Sequence, residues 1–335
     1  MLKLVATCAK GLEGLLRAEI GRGQEGVGAV TFEGSWEDVD HFNLWLRTAN
    51  RLLVEVGGWR ASKAEDLYQG AFRATLKTDW MHPGQSFSLH ATSSASNLVG
   101  SQVMLTVKDA IVDAQRKKYG ERADIDRENP DLPLRLRLHR NRATLLLDTS
   151  SEALDRRGYR KVSTQAPCRE NLAAAMVLFA EPHPDTDLVV DPMCGSGTLL
   201  AEAAAVLGRL PSQRLRFELT GPMPDHLRLI GGDIDRQAIA AARGNLEIAG
   251  LENARLAVRD AWTWDPPKGP GLLLINPPYG ERLQEAGDLD ALLDRYRGYT
   301  AALLLPQEMR LDHFPRKSLL VNNGPLAARI AVFDL

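Results

Sequence analysis

From Asp187 onward, short aliphatic runs alternate with stretches of helical periodicity. DLVVDPMCGSGT predicts a strand, a glycine turn and a helix entry, and LLAEAAAVL continues that helix. HLRLIGGDID predicts a second strand and turn, followed by RQAIAAARGNLEIAG, a helix ending at Gly250. ARLAVRDA and GLLLINPPYG predict a third and a fourth strand, LDALLDRYRGY a further helix, TAALLLP a fifth strand and LAARIAVFDL a last one. Alternation at this spacing predicts an α/β domain with a parallel, doubly wound sheet and helices on both faces. Its crossovers place every strand's C-terminal end on one edge, where ligands bind.

The first half is patterned differently. In LRLRLHRNRATLLLD, Leu134, Leu136 and Leu138 point one way and Arg135, Arg137 and His139 the other, which predicts a hairpin turning near Arg140-Asn141. SQVMLTVKDAIVDAQRKKYG predicts an amphipathic helix with Val107, Ala110, Ile111 and Ala114 inward and a basic last turn. LVATCAKGLEGLLRAEI predicts a strand followed by a helix. One or two small α+β domains are therefore expected before about residue 155. No internal repeat or low-complexity segment stands out.

At 335 residues, 44% hydrophobic and 25% charged, the chain is long enough for two or three domains. It has no run of about 18 apolar residues. Its start, MLKLVATCAKGLEGLL, lacks an apolar core followed by a small-residue cleavage site, so a cytoplasmic protein is expected. Cys8, Cys168 and Cys194 form no CxxC pair, which argues against a disulfide framework or a metal site. Net charge is −2, yet residues 1–165 carry 24 Lys and Arg against 21 Asp and Glu, and the remainder 17 against 22. The mild basic bias of the first half is compatible with a phosphate-bearing partner.

The glycine turn Asp191–Thr198 is neither GxGxxG nor a phosphate loop, which disfavours dinucleotides and nucleoside triphosphates. With carboxylates at later strand ends it suits a nucleoside with a zwitterionic tail, and S-adenosylmethionine is such a molecule. Asp233 or Asp235 would accept from ribose hydroxyls, and Asp260 from the adenine amino group. Cys194 is expected to be a packing residue. In Asn276-Pro277-Pro278-Tyr279, the two prolines give a rigid strand exit without amide donors. The Asn276 side-chain oxygen and the Pro277 carbonyl remain as acceptors for the two hydrogens of an amine, while Tyr279 would stack on the ring bearing it. No cysteine follows Cys194, so covalent attack on a pyrimidine ring is not expected near this strand.

These motifs resemble amino-methyltransferases with an Asp/Asn-Pro-Pro-Tyr signature. Leu154–Ala180, DPMCGSGTLLAEAA, GGDIDRQAIAAARGN and NPPYGERL together resemble the THUMP-domain RNA guanine-N2 methyltransferases, and Leu67–Trp80, Val107–Ala114 and Ile125–Arg127 are similar to their THUMP module. The resemblance implies a ferredoxin-like domain over 1–60, a THUMP domain over 61–153 and a Rossmann-like methyltransferase domain over 154–335. It implies S-adenosylmethionine contacts from Asp191, Pro192, Gly195, Gly197, Asp233 and Asp260. Ala166–Asn171 would border the methionine end, with Arg169 on its carboxylate; Asn276, Pro277 and Tyr279 would hold guanine. From composition, Arg135, Arg137, Arg140 and Arg142 are candidate phosphate contacts. The compact chain looks most like the enzymes making N2-methylguanosine at position 6 of the tRNA acceptor stem, acting as a monomer. Guanosine N2 in 23S ribosomal RNA is the alternative, and adenine N6 in DNA a more distant one; a protein glutamine would share the motif. A fragment of residues 155–335 is expected to keep donor binding and lose RNA affinity.

Overall fold

The computed structural model describes residues 1–98, 101–163, 168–219, 226–278, 287–324 and 326–335. In chain order the elements are β1 (Leu2–Cys8), α1 (Glu13–Ile20), β2 (Gln24–Gly26), β3 (Ala29–Gly34), α2 (Trp36–Trp45), β4 (Ala49–Arg60), α3 (Ala64–Leu76), β5 (Phe87–Ser94), α4 (Ser101–Tyr119), β6 (Leu132–His139) and β7 (Arg142–Asp148). They continue with α5 (Glu170–Ala180), β8 (Leu188–Asp191), α6 (Thr198–Leu207), β9 (Arg228–Asp233), α7 (Arg236–Ile248), β10 (Arg255–Val258), β11 (Gly271–Ile275), α8 (Leu289–Leu293), β12 (Tyr299–Pro306), β13 (Lys317–Asn323) and β14 (Leu326–Asp334). Two seven-stranded sheets result, ordered β2-β3-β1-β4-β7-β6-β5 and β10-β9-β8-β11-β12-β14-β13.

The chain divides into two compact units. One comprises Met1–Ala6, Thr31–Asp40 and Arg51–Glu152. The expected hairpin is here, with His139 opposite Arg142 and the turn made by Arg140 and Asn141 at φ 47° and 59°. Two consecutive left-handed residues match the twist of a tight hairpin, and Asn tolerates that conformation well. Leu134, Leu136 and Leu138 are fully buried, as are Val107, Ala110, Ile111 and Ala114 of α4, so both predicted apolar faces lie in the core. β5 and β6 pair in parallel on either side of α4 in the chain.

The other unit comprises Thr7–Val30, His41–Asn50 and Ala153–Leu335. β10, β9, β8, β11 and β12 are parallel neighbours. β8 and the last four residues of β11 are buried throughout, the pattern of central parallel strands covered on both faces. Leu188, Val190, Leu273, Ile275, Tyr296, Leu303 and Phe333 share one core cluster. Beyond β12 the sheet departs from the expected all-parallel arrangement: β14 runs antiparallel to β12 and carries β13, which hydrophobic patterning did not mark. KSLLVNN lies at the sheet edge with only Val321 buried, so little apolar signal was needed to place it. The predicted helix LDALLDRYRGY shrinks to α8. Asp288 caps its start, but Arg295 turns to the carbonyls of Trp262 and Trp264 and to Asp265, and Tyr296 is fully buried; tertiary contacts override propensity there.

Segments from early in the chain are built into this second unit. Arg47 donates to the carbonyls of Ala205 (2.9 Å) and Leu210, and Arg157 donates to those of Leu154 and Arg47 (2.5 Å). Glu19 accepts from the backbone of Arg47 and Thr48. Ser212 and Gln213 bind the carbonyls of Leu44 and Leu46. A fragment starting at residue 155 lacks all of these partners, so the expected autonomy of 155–335 is not what this packing supports.

Arg157 and Glu202 face each other at 3.6 Å, each no more than 3% exposed, and Tyr159 donates to the same carboxylate at 2.9 Å. Removing the acid leaves a buried guanidinium without its counter-charge. Glu202→Ala is therefore expected to cost about 3–5 kcal/mol in urea unfolding, and a loss below about 1 kcal/mol would show that the pair behaves like a surface one.

Glu170, at the start of α5, pairs with Arg160 at 2.7 Å. Burial outweighs that cation and pushes its carboxyl up to about 7, so the folded chain holds this proton more tightly than the unfolded one. The stabilising contribution is fully present below pH 4.5 and is lost as pH rises through about 7. The stability of Glu170→Gln relative to wild type is expected to increase between about pH 5 and about pH 8. Parallel urea titrations at the two pH values would check this, and a pH-independent difference would refute it.

Candidate active site

Register alone brings the predicted residues to one edge. Asp191 ends β8 opposite Gly231 of β9, so Asp233 stands two residues further out. Asp233 is opposite Val258 of β10, which puts Asp260 two residues beyond that level. On the other side of β8, Val190 is opposite Leu273, and Asn276 follows the end of β11. Four adjacent parallel strands thus deliver three carboxylates and the Asn-Pro-Pro exit to the same side of the sheet.

The turn between β8 and α6 is tightly fixed. The Cys194 N–H donates to the Gly232 carbonyl at 2.8 Å, and the Gly197 N–H to the Cys194 carbonyl at 2.8 Å. Gly197 sits at φ 83°, where a Cβ would also come 3.2 Å from Leu246 and 3.3 Å from Ala242, so a side chain there would be both strained and crowded. The Gly195 N–H donates to the Asp233 carboxylate at 2.9 Å, and the other Asp233 oxygen accepts from the Asp235 N–H. Asp235 caps α7 through the Gln237 N–H. Of the two acids expected to face a ribose, Asp235 is engaged as a helix cap, and Asp233 first of all holds the turn in place. Asp260 similarly accepts from the Trp262 N–H, shaping the loop after β10. Cys194 is buried with its thiol pushed far up by burial, consistent with packing.

Asp191 is the unusual group. It is fully buried, one oxygen accepts from the Met193 N–H at 3.1 Å, and the other has no partner among the described residues. Burial and the nearby Asp233 push its carboxyl well above the usual carboxylate range. A cation brought to this oxygen would restore the ionised form. The α-ammonium of S-adenosylmethionine is such a cation, and the donor set therefore fits the cofactor expected from the sequence. Ile234, between the two acids, is 75% exposed at the same strand end, a lone aliphatic that sequence reasoning passed over.

The remaining candidates divide. Pro277 is buried and Asn276 and Pro278 half-buried; Pro192 is buried within the turn. Tyr279, and Ala166 with Pro167, lie outside the described residues. Arg169 is the N-cap of α5, with its side chain exposed and no hydrogen bond to the three carboxylates. On the hairpin, Arg137, Arg140 and Arg142 are exposed, but Arg135 donates to the buried Asp148 at 2.7 Å, beside Arg51 at 2.6 Å. Its primary contact is a buried acid, which distinguishes it from the other three. Sequence reasoning also missed the mixed surface of α3 and α4, where Lys117 lies 5.6 Å from the Phe72 ring and Phe72 stacks on Tyr68. Among the described residues no cluster of His, Cys, Asp and Glu could hold a metal, and no helix is long and apolar enough to cross a membrane.

Three family models match the chain: the RlmL ferredoxin-like domain over residues 3–53, the THUMP domain over 61–148, and the RMKL-like methyltransferase domain over 157–302. The ribosomal RNA large subunit methyltransferase K/L of Syntrophotalea carbinolica is 34% identical over all of this chain and 54% of its own length. The chain spans about half the length of the curated relatives it matches. The crystal structure of SMU.472 with S-adenosylhomocysteine bound superposes with a TM-score of 0.86 at 28% identity, covering 99% of this chain and 98% of that one. A structure from Listeria monocytogenes, described as a predicted N6-adenine-specific DNA methylase, gives 0.83 at 28%, over 99% and 96%. S-adenosylmethionine is the cofactor that goes with such a domain. The chain carries a ferredoxin-like domain, a THUMP domain and a C-terminal, RMKL-like methyltransferase domain with a Rossmann-like sheet.

Proposed function

We propose that this protein methylates the exocyclic N2 of a guanosine in RNA, with large-subunit ribosomal RNA as the substrate. The observation that carries the proposal is the placement of Asn276-Pro277 at the end of β11, directly beside β8, whose last residue is the buried Asp191 and from which the glycine turn leaves. The sequence favoured tRNA over ribosomal RNA; the relatives named for the large ribosomal subunit support the alternative instead. The THUMP domain supports an RNA substrate over DNA or protein.

S-adenosylmethionine supplies a methyl group made electrophilic by its sulfonium. Asp191 would hold the ammonium of the donor, and the turn around Gly195 and Gly197 would let the backbone approach it. Asn276 Oδ1 and the Pro277 carbonyl would each accept one N–H of the guanine amine. Held so, the nitrogen is drawn out of conjugation with the ring and its lone pair is aimed at the methyl carbon. Transfer of that methyl group to the nitrogen would leave the donor as a neutral thioether, and the methylated amine would give up one proton to solvent. Positioning of the amine supplies most of the rate in such a step. A guanosine in a stem must leave its stack to reach the strand edge.

Asn276→Ala is expected to lower methyl transfer by about 10²–10³-fold while leaving calorimetric affinity for S-adenosylhomocysteine within about twofold. Near-normal turnover would refute the amine-holding role. Nucleoside mass spectrometry after incubation with S-adenosylmethionine and ribosomal RNA, tRNA or DNA should give N2-methylguanosine in ribosomal RNA. The same nucleoside in tRNA alone would overturn the substrate and keep the chemistry; N6-methyladenine in DNA would overturn both.

A further inference from the structure

We infer that Asn245 is a positioning residue that ties the donor-binding turn to the chain segment leading into α5, and so sets donor affinity without touching the donor. The inference rests on the methyltransferase reading above. Asn245 lies on α7, is 1% exposed, and has its whole carboxamide engaged. Its oxygen accepts from the N–H groups of Lys161 (3.0 Å) and Val162 (3.2 Å), and its nitrogen donates to the carbonyls of Val162 (2.8 Å) and Ser196 (3.0 Å).

Ser196 stands between Gly195 and Gly197, so this one side chain grips the middle of the turn. Asp233 grips the same turn from β9 through the Gly195 N–H. The turn is thus held on one side by an acid at the donor edge and on the other by an amide behind it, on the helix whose Ala242 and Leu246 would crowd a Cβ at Gly197. The second pair of bonds holds residues 161 and 162. Next to them, Arg160 donates to the Cys168 carbonyl at 2.8 Å and pairs with Glu170. Asn245 and Arg160 therefore fix Lys161 and Val162 on one side and Cys168 and Glu170 on the other, the latter flanking Arg169. An amide is the group the position requires, since a carboxylate offers no donors for the two carbonyls and an aliphatic leaves four backbone groups without this partner.

The test uses the full chain, with calorimetric binding of S-adenosylhomocysteine and steady-state kinetics. Asn245→Ala is expected to weaken binding about tenfold and raise the KM for S-adenosylmethionine in step, while kcat at saturating donor stays within about twofold. Asn245→Asp keeps an acceptor for Lys161 and Val162 and loses the donor to Ser196. It is expected to show the same loss, and it decides the matter if the alanine variant does not fold. Gln213→Ala is the matched control: Gln213 is fully buried and bonds the Leu154 carbonyl, away from the turn. It should lower the melting temperature with affinity unchanged. Wild-type affinity in the Asn245 variants, or an equal affinity loss in Gln213→Ala, would overturn the inference. Failure of the wild-type chain to bind S-adenosylhomocysteine would overturn the methyltransferase reading along with it.

Discussion

The parallel register of β10, β9, β8 and β11 is the constraint from which the site follows. Because each crossover returns the chain to the same end of the sheet, loops far apart in sequence open on one edge. Their side chains then need only local fixing, and here that fixing is done by carboxylates accepting backbone N–H groups: Asp233 from Gly195 and Asp235, Asp260 from Trp262, Asp191 from Met193. The acids at the donor edge are therefore structural before they are ligands. Each shapes the loop that follows a strand, and the lone pairs left over point to what the site can take.

Buried acids in this unit are compensated in three different ways. Glu202 faces Arg157 and Tyr159 and is satisfied within the fold. Glu170 has Arg160, yet burial still dominates and leaves it titrating near neutrality. Asp191 has one N–H and no counter-charge among the described residues. Coulomb attraction in a dry interior is strong, but desolvation is of similar size, so small differences in partners set the protonation state. A buried carboxyl at a strand end with no counter-charge among the described residues is a candidate for binding a cation, the role proposed above for Asp191.

Much of this was legible in the sequence. Alternating strand and helix periods marked β8 to β12 and the helices α6 and α7 because central strands and covering helices bury long apolar runs. The hairpin was legible because Arg140-Asn141 interrupts a strict alternation. The glycine turn and the Asn-Pro-Pro exit were legible because only special residues satisfy their backbones. What escaped reading depends on tertiary contacts. β13 is an edge strand, α8 is cut short by the pull of Arg295 on another loop, and Arg135 looks like any surface arginine until Asp148 is seen behind it. The inclusion of Thr7–Val30 and His41–Asn50 in the second unit was also invisible, since Arg47 and Glu19 bear no local mark of their distant partners.

The positions that escaped reading also separate two kinds of basic residue. Arg47, Arg135 and Arg157 each bond to a carbonyl or a buried acid of their own unit. Arg137, Arg140 and Arg142 stand exposed on a hairpin whose inner face is leucine and alanine. Composition treats all six alike, and a count of charges over the first half reports only a mild excess. The structure separates them by what burial demands: an arginine bonded into the interior is already committed, and removing it would destabilise its own surroundings. On the function proposed above, those left exposed are the candidates for phosphate contacts, which would add affinity without selecting a base. On that proposal, selection of guanine would rest on the strand edge, where Asn276 would accept from the amine.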